Sequence, residues 1–196
     1  MSAGVLKAHG GLLGGKWLQP VGGCITGRTV GIIGCGHVGK DLVSLLRAFD
    51  CVILVHDIRD YSDFYSANRV EKVGLNTLLR RSDIVTLHVP LDSSTRAMLN
   101  GERPALMKPD SILINTARGG LVDEEILKEM LERGRLAAAA FDVFSVEPPE
   151  DSELLRLPNF FGTPHIGGSS KEAILAMGRA AILGLTNNEI PARDFG

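Results

Sequence analysis

The fold of this chain is indicated by the stretch Thr29-Val30-Gly31-Ile32-Ile33-Gly34-Cys35-Gly36-His37-Val38-Gly39. An apolar run, predicted as a buried strand, ends there in glycines spaced as GxGxxG, and a helix is predicted over residues 37–49. That spacing is a weak signal by itself. Between a strand and a helix, however, it is typical of a dinucleotide-binding turn.

Each glycine of this turn is expected for a different physical reason. Gly34 permits a tight turn, Gly36 lets the backbone approach a pyrophosphate, and Gly39 lets the helix pack on the strand. We expect the pyrophosphate at the helix N-terminus, where free N–H groups and the positive end of the helix dipole face it. The expected contacts from this turn are Gly34, Gly36, His37 and Val38.

Short apolar runs alternate with amphipathic stretches along the chain. The predicted strands are Thr29–Ile33, 51–56, a segment near Val70, 84–89, 111–115, 136–143 and a segment near Phe160. The other predicted helices are 76–81, Glu124–Glu132 and 171–187, the last with a capping box in Ser169-Ser170-Lys171-Glu172. Apolar strands separated by helices predict an α/β, Rossmann-like, doubly wound parallel sheet with helices on both faces, whose ligand lies at the carboxyl ends of the strands.

Asp57 follows the second predicted strand and indicates which dinucleotide binds. A carboxylate there accepts hydrogen bonds from both adenosine ribose hydroxyls and repels a 2′-phosphate, so NAD is expected over NADP. Arg59 could accommodate that phosphate, but we expect Asp57 to dominate. The alternative is a glycine turn and a solvated acid in a Rossmann-like domain that binds another ligand.

Three later segments each end an apolar run with polar residues, and their candidates are Arg118, Glu147 and His165. Reduction of a 2-oxo acid requires a proton donor, and imidazole side chains titrate near neutral pH. Glu147 could bind the far nitrogen of His165 and fix its tautomer, while Arg118 offers a planar fork of donors to a carboxylate. Each residue alone could be structural, and His88 competes for the same crevice.

These segments resemble the D-2-hydroxyacid dehydrogenases, and phosphoglycerate dehydrogenases in particular. The resemblance rests on the glycine turn and on Leu87-His88-Val89-Pro90-Leu91, Asn115-Thr116-Ala117-Arg118-Gly119, Phe141-Asp142-Val143-Phe144, Glu147-Pro148 and Thr163-Pro164-His165-Ile166-Gly167-Gly168. It implies that Arg118 binds substrate, that Glu147 and His165 are catalytic, and that Asp142 lies near the nicotinamide carboxamide. The further cofactor contacts expected are His88, Val89, Pro90, Thr95, Thr116, Ala117, Arg118, His165, Gly167 and Gly168.

Residues 1–17 do not fit the predicted sheet. Their apolar residues share roughly one helical face, yet four glycines weaken an isolated helix by ~1 kcal/mol each. We expect a partial interdomain or crossover helix over 1–17 and one NAD-binding domain over 18–196 that includes the C-terminal helix. The resemblance implies a separate substrate lobe of about 100 residues, largely missing here.

Three functions therefore compete. The first is an NAD-dependent oxidoreductase acting on a small 2-oxo or 2-hydroxy acid, whose identity the sequence does not specify. The second is an NAD(H)-binding interaction or regulatory module, and the third is a truncated, inactive fragment. The apolar face of residues 1–17 needs cover, which favours a homodimer.

Composition argues against several other classes of protein. The formal net charge is -2, so no basic surface favours nucleic acid, and no apolar run approaches the ~18 residues of a membrane span. The five histidines show no metal-binding spacing, so we expect no metal. Three cysteines and the absence of a signal-like leader favour the cytoplasm.

Overall fold

The centre of the molecule is a seven-stranded sheet. The computed structural model describes residues 2–150 and 152–186. The strands are β1 (Thr29–Ile33), β2 (Val52–His56), β3 (Glu71–Lys72), β4 (Ile84–Leu87), β5 (Ile112–Asn115), β6 (Ala138–Phe141) and β7 (Phe160–Gly162). They lie in the order β3-β2-β1-β4-β5-β6-β7, and every pair is parallel. This confirms the predicted doubly wound α/β fold, with the topological switch between β1 and β4.

Helices lie between several of the strands and on either side of the strand-containing segment. They are α1 (Ser2–Leu13), α2 (His37–Leu46), α3 (Ser62–Asn68), α4 (Leu75–Arg81), α5 (Glu124–Glu132) and α6 (Lys171–Thr186). Short 3-10 turns cover Arg47–Phe49, Pro104–Leu106 and Glu153–Arg156.

Alternate residues of the strands enter two separate cores. Ile33 and Leu87 point to the face where Leu78 of α4 and Leu127 of α5 are buried. Val30, Ile32 and their neighbours on β2 point to the other face, where Val43 of α2 and Tyr65 of α3 are buried. Helices therefore cover both faces, as expected from strands that are apolar throughout.

The structure corrects the sequence-based prediction in several places. Helix α3 was not predicted, because its seven residues are mostly polar and only Tyr65 is buried. The capping box was placed one residue too early, since the Ser170 hydroxyl accepts from the Ala173 amide at 3.0 Å. The strands predicted over 84–89 and 136–143 are shorter than expected, because their ends belong to loops.

The helix predicted within residues 1–17 ends early. Helix α1 stops at Leu13, and Gly15 then adopts a positive φ of 71°. Leu12, Leu13 and Trp17 are exposed. Met1 and residues 187–196, the outer ends of the expected segments 1–17 and 18–196, lie outside the described residues, as does the expected end of the last helix at 187. Within residues 2–150 and 152–186, no helix combines the length and apolar composition needed to cross a membrane.

A glycine in β1 is required by the packing of α4. A Cβ built at Gly31 would overlap the Ser82 hydroxyl and lie 2.5 Å from Leu78 Cδ2. Both neighbours are buried, and the Ser82 hydroxyl is held by the Leu78 carbonyl at 2.7 Å. Strand and helix can approach this closely only without a side chain at residue 31.

We predict that Gly31→Ala lowers the free energy of unfolding by about 1–3 kcal/mol, because the core has no room for the added methyl group. Urea denaturation of the 196-residue chain measures this. Gly10→Ala is the matched control, since a Cβ at this helical glycine meets nothing within 4 Å. Equal stability of the two variants would contradict the packing argument.

Candidate active site

The strand ends form one row across the sheet. The last residues of six strands lie in register with one another: His56, Ile33, Leu87, Asn115, Phe141 and Gly162. The next residues along the chain, at the carboxyl edge, are Asp57, Gly34, His88, Thr116, Asp142 and Thr163. The fold therefore brings to one edge residues that the sequence analysis singled out separately.

The glycine turn has two glycines that the fold requires and one that faces open space. Gly34 has a φ of 96°, and a Cβ there would lie 2.6 Å from the His88 carbonyl oxygen. A Cβ at Gly39 would overlap the carbonyl oxygen of Gly34. At Gly36 a Cβ would meet nothing within 4 Å, although α2 begins at the next residue. The open approach to a helix N-terminus fits a pyrophosphate.

Asp57 is held beside this turn. Its Oδ2 accepts from the Cys35 amide at 2.6 Å, and its Oδ1 accepts from the Arg59 amide at 2.7 Å. A carboxylate has about four acceptor positions, so two bonds leave capacity for ribose hydroxyls. The position and orientation of Asp57 therefore fit the expected ribose contact.

The loop after β4 packs against the same turn. Gly34 lies against the His88 carbonyl and the Val89 side chain. His88 Nε2 is 3.0 Å from the Thr86 hydroxyl, and burial lowers the pKa of His88. A lowered pKa favours neutral imidazole, so His88 is a poor candidate for a charged proton donor.

Farther along this loop, the Thr95 hydroxyl donates to the Pro90 carbonyl at 2.7 Å and accepts from the Asp92 amide at 2.9 Å. Thr95 therefore holds the loop itself, and Pro90 lies exposed beside it. His37 and Val38 are exposed in the first turn of α2.

Arg118 lies in a turn shaped by Asn115. The buried Asn115 side chain donates to the Arg118 carbonyl at 2.9 Å and accepts from the Ala117 amide at 3.1 Å. The Arg118 guanidinium is exposed and donates to the Ala117 carbonyl at 2.6 Å. Thr116 is exposed in the same turn.

Asp142 holds the loop that carries His165. Its Oδ1 accepts from the Thr163 hydroxyl at 2.5 Å and the Ile166 amide at 2.9 Å, and its Oδ2 accepts from the Gly167 amide at 2.8 Å. Burial raises the pKa of Asp142, but these hydrogen bonds outweigh it and leave the pKa lowered. His165 is held there with a positive φ of 52°, which is uncommon for a residue with a side chain.

Glu147 and His165 form a hydrogen-bonded pair, with Glu147 Oε2 2.8 Å from His165 Nδ1. Glu147 Oε1 accepts from the Phe144 amide at 3.0 Å. The bond with His165, followed by the one from Phe144, lowers the pKa of Glu147. A carboxylate on Nδ1 fixes the imidazole tautomer and leaves Nε2 for proton exchange.

Arg118 and Gly168 are expected site residues that lie outside the Glu147–His165 pair. Within the described residues, no hydrogen bond joins Arg118 to the Glu147–His165 pair, and Gly168 lies exposed beyond it. The sequence analysis also missed the positioning role of Asn115. An Asn at a strand end before a turn is a known signal for such bonds, since its side chain binds nearby backbone groups.

Comparison with known proteins identifies the family. The sequence profile described as D-isomer specific 2-hydroxyacid dehydrogenase, NAD binding domain, matches residues 2–167. The chain belongs to this family. The match confirms the expected NAD-binding domain and its cofactor class.

Relatives of the dehydrogenase domain are similar over most of this chain. A D-3-phosphoglycerate dehydrogenase of Methanocaldococcus jannaschii is 45% identical over 153 residues, covering 78% of this chain and 29% of the relative. A hydroxypyruvate reductase of Thermotoga maritima is 42% identical over 175 residues, covering 86% of this chain and 56% of the relative.

A glyoxylate reductase from Paecilomyes thermophila has a similar structure, with a TM-score of 0.86 and 30% identity. The similarity covers 94% of this chain and 56% of that one. This dehydrogenase domain therefore spans about half, or less, of the length of the relatives it matches.

We predict that Asp142→Asn lowers the free energy of unfolding at neutral pH by about 2 kcal/mol, because amide nitrogen cannot accept the bonds that the buried carboxylate accepts. The pKa of Asp142 is lowered in the folded chain. Its stabilisation is therefore present above the ordinary aspartate pKa and is lost as the pH falls through the folded value.

Urea denaturation from neutral to acid pH tests this prediction. The difference between the wild type and Asp142→Asn should shrink as the pH falls, whereas the exposed control Asp41→Asn should change stability little at any pH. A difference independent of pH would show that the carboxylate charge is not what stabilises the loop.

Proposed function

We propose that this chain is the nucleotide-binding part of an oxidoreductase that interconverts a 2-oxo acid and a D-2-hydroxy acid. The observation that carries the proposal is the 2.8 Å hydrogen bond between Glu147 and His165. It lies at the carboxyl edge of the sheet where the glycine turn and Asp57 also lie. Proton transfer beside a dinucleotide is what this arrangement can perform.

The residues present fit NAD. The open side of Gly36 and the first turn of α2 would hold the pyrophosphate, and the Asp57 carboxylate would bind the adenosine ribose. Loop residues after β4, β5, β6 and β7 would line the remaining cofactor, among them Val89, Pro90, Thr95, Ala117, Asp142, Gly167 and Gly168. When bound, the reduced cofactor supplies the hydride that the carbonyl carbon needs.

His165 would move the proton. Because Nδ1 is bound by Glu147, Nε2 would donate to the substrate oxygen during reduction and accept from the hydroxyl in the reverse direction. Glu147 would hold the ring orientation and stabilise the charged imidazolium in either direction. Arg118 would bind the substrate carboxylate through its planar guanidinium, once its bond to Ala117 is exchanged.

The names of the relatives suggest the substrate class. Hydroxypyruvate reductase and glyoxylate reductase act on small 2-oxo acids, so we propose a substrate with a carboxylate next to the reacting carbonyl. The His165 and Glu147 side chains are 47% and 38% exposed, and water at the pair weakens electrostatic catalysis. That exposure favours the second candidate, an NAD(H)-binding module with little turnover by itself.

Under the first candidate function, we predict that the 196-residue chain oxidises NADH with a small 2-oxo acid, and that His165→Ala lowers kcat by about 10²- to 10⁴-fold, because general acid catalysis is lost. Loss of NADH absorbance against a panel that includes glyoxylate, hydroxypyruvate and 3-phosphohydroxypyruvate measures turnover. NADH fluorescence measures binding separately, with Asp57→Ala as the variant expected to weaken it.

Turnover that survives in His165→Ala would contradict the role given to His165. Binding of NADH without turnover of any panel member would favour the binding module. Failure to bind NADH would contradict the cofactor assignment of this chain.

We also propose that the protein is a cytoplasmic homodimer. The three cysteines among the described residues are free thiols, which suits a reducing compartment. Leu12, Leu13 and Trp17 expose apolar surface around the end of α1, and a second copy would cover it. We expect sedimentation at micromolar concentration to show a dimer; a monomer would contradict this.

A further inference from the structure

The loop that carries Glu147 has little packing of its own. Ser145, Val146, Glu147 and Pro148 are all exposed, and Val146 is 73% exposed. Phe144, just before them, is buried and contacts the Phe160 ring at a centroid distance of 6.2 Å. The conformation of the loop beyond Phe144 therefore depends on a few specific contacts.

Two of those contacts act on one peptide group. The Ser145 amide donates to Glu124 Oε1 at 2.7 Å. On the same peptide, the Phe144 carbonyl lies so close to Gly119 that a Cβ there would overlap its oxygen. Gly119 belongs to the connection between β5 and α5, which also carries Arg118, and Glu124 is the first residue of α5.

The Glu124 carboxylate is free for this contact because another residue caps the helix. Asp123 Oδ1 accepts from the Glu125 and Ile126 amides, each at 3.1 Å, and so satisfies the first turn of α5. The Asp123 amide in turn donates to the Leu99 carbonyl at 3.1 Å. Glu124 thus projects from a fixed helix start and reaches a residue 21 positions along the chain.

The held peptide is adjacent to the Glu147–His165 pair. The Phe144 amide donates to Glu147 Oε1, and the other oxygen of the same carboxylate, Oε2, lies within hydrogen-bond distance of His165 Nδ1. Rotation of the Phe144–Ser145 peptide would move the backbone that aims the Glu147 carboxylate. The hydrogen bond from the Ser145 amide to the Glu124 acceptor oxygen opposes that rotation, because rotation would leave the amide without this partner.

We propose that Glu124 is a positioning residue for the Glu147–His165 pair: through the Ser145 amide it holds the loop in the conformation that aims Glu147 at His165. Gly119, in the connection that carries Arg118, contacts the same peptide, so the β5–α5 segment would also set the position of the proton-transfer loop. The importance of this positioning for catalysis rests on the proposed function, whereas the positioning itself is measurable without turnover.

Four variants of the full 196-residue chain test the proposal. Glu124→Asp keeps the charge but withdraws the carboxylate by one methylene, while Glu124→Gln keeps the reach and an acceptor oxygen but removes the charge. Glu124→Ala removes both. Glu125→Gln is the matched control, because Glu125 lies in the same first turn of α5 and is exposed.

The readout is the pKa of Glu147, measured by carboxyl ¹³C NMR. The Glu147→Gln variant identifies the Glu147 signal. Charged groups that act on this carboxyl are His165 and Asp142. In Glu124→Asp and Glu124→Ala the pKa of Glu147 should rise toward the ordinary glutamate value, because the bonds from His165 and Phe144 weaken. Glu124→Gln and Glu125→Gln should leave it near the wild-type value.

The sign of the change separates positioning from charge. Loss of a nearby negative charge alone would lower the pKa of Glu147, not raise it. An unchanged Glu147 pKa in Glu124→Asp would overturn the proposal, as would a rise in Glu124→Gln equal to that in Glu124→Asp. Glu124→Asp retains a favourable first-turn acid, so it keeps the test valid if Glu124→Ala fails to fold.

Turnover supplies a second readout. If the chain is active, Glu124→Asp should lower kcat by about tenfold with little change in NADH binding, since misplacement of a catalytic pair by a fraction of an ångström slows the reaction. Glu124→Gln should restore most of the activity. If no variant or wild type turns over, the proposed function fails while the NMR titration still decides whether Glu124 positions Glu147.

Discussion

Backbone hydrogen bonds between parallel strands hold β1 between β2 and β4, with Ile33 level with both His56 and Leu87. The same register continues through Asn115, Phe141 and Gly162 at the other side of the sheet. These six strands therefore end at the same level of the sheet. Residues far apart in sequence meet at one edge because the parallel register brings the ends of these strands together.

Side-chain contacts then refine what the ladder provides. Asp57 is fixed by two amides, Asp142 accepts three bonds from the His165 loop, and Glu147 binds both an amide and His165. In each case a carboxylate after or near a strand end organises backbone N–H groups before it meets any ligand. These bonds hold the His165 imidazole in place although it lies on a loop and not on a helix or strand.

The fold could be predicted because its signals are local. Apolar runs, helical periodicity and the GxGxxG turn are each contained in about ten residues, and they predicted every strand to within a few positions. Helix α3 was missed because its helical state depends on the burial of Tyr65. The mostly polar sequence of this helix does not indicate that tertiary contact. Helix α1 was predicted too long because the effect of Gly14 and Gly15 was underestimated.

The candidate site was predictable to the same extent. The Glu147–His165 hydrogen bond was expected from the order of motifs and is present. The contacts of Glu124 with Ser145 and of Gly119 with Phe144 were not expected, because they join segments more than twenty residues apart. Such contacts follow from the exact approach of two loops, which no periodicity encodes.

The edge of the sheet opposite the candidate site provides attachment points for labels. Asp50, Asp110 and Gly134 make left-handed turns shortly before β2, β5 and β6 begin, on the side away from the glycine turn. Fluorophores or surface anchors attached at these turns would lie at the edge of the sheet opposite the His165 loop. An immobilised or labelled form of the domain could therefore report on ligands without obstructing their entry.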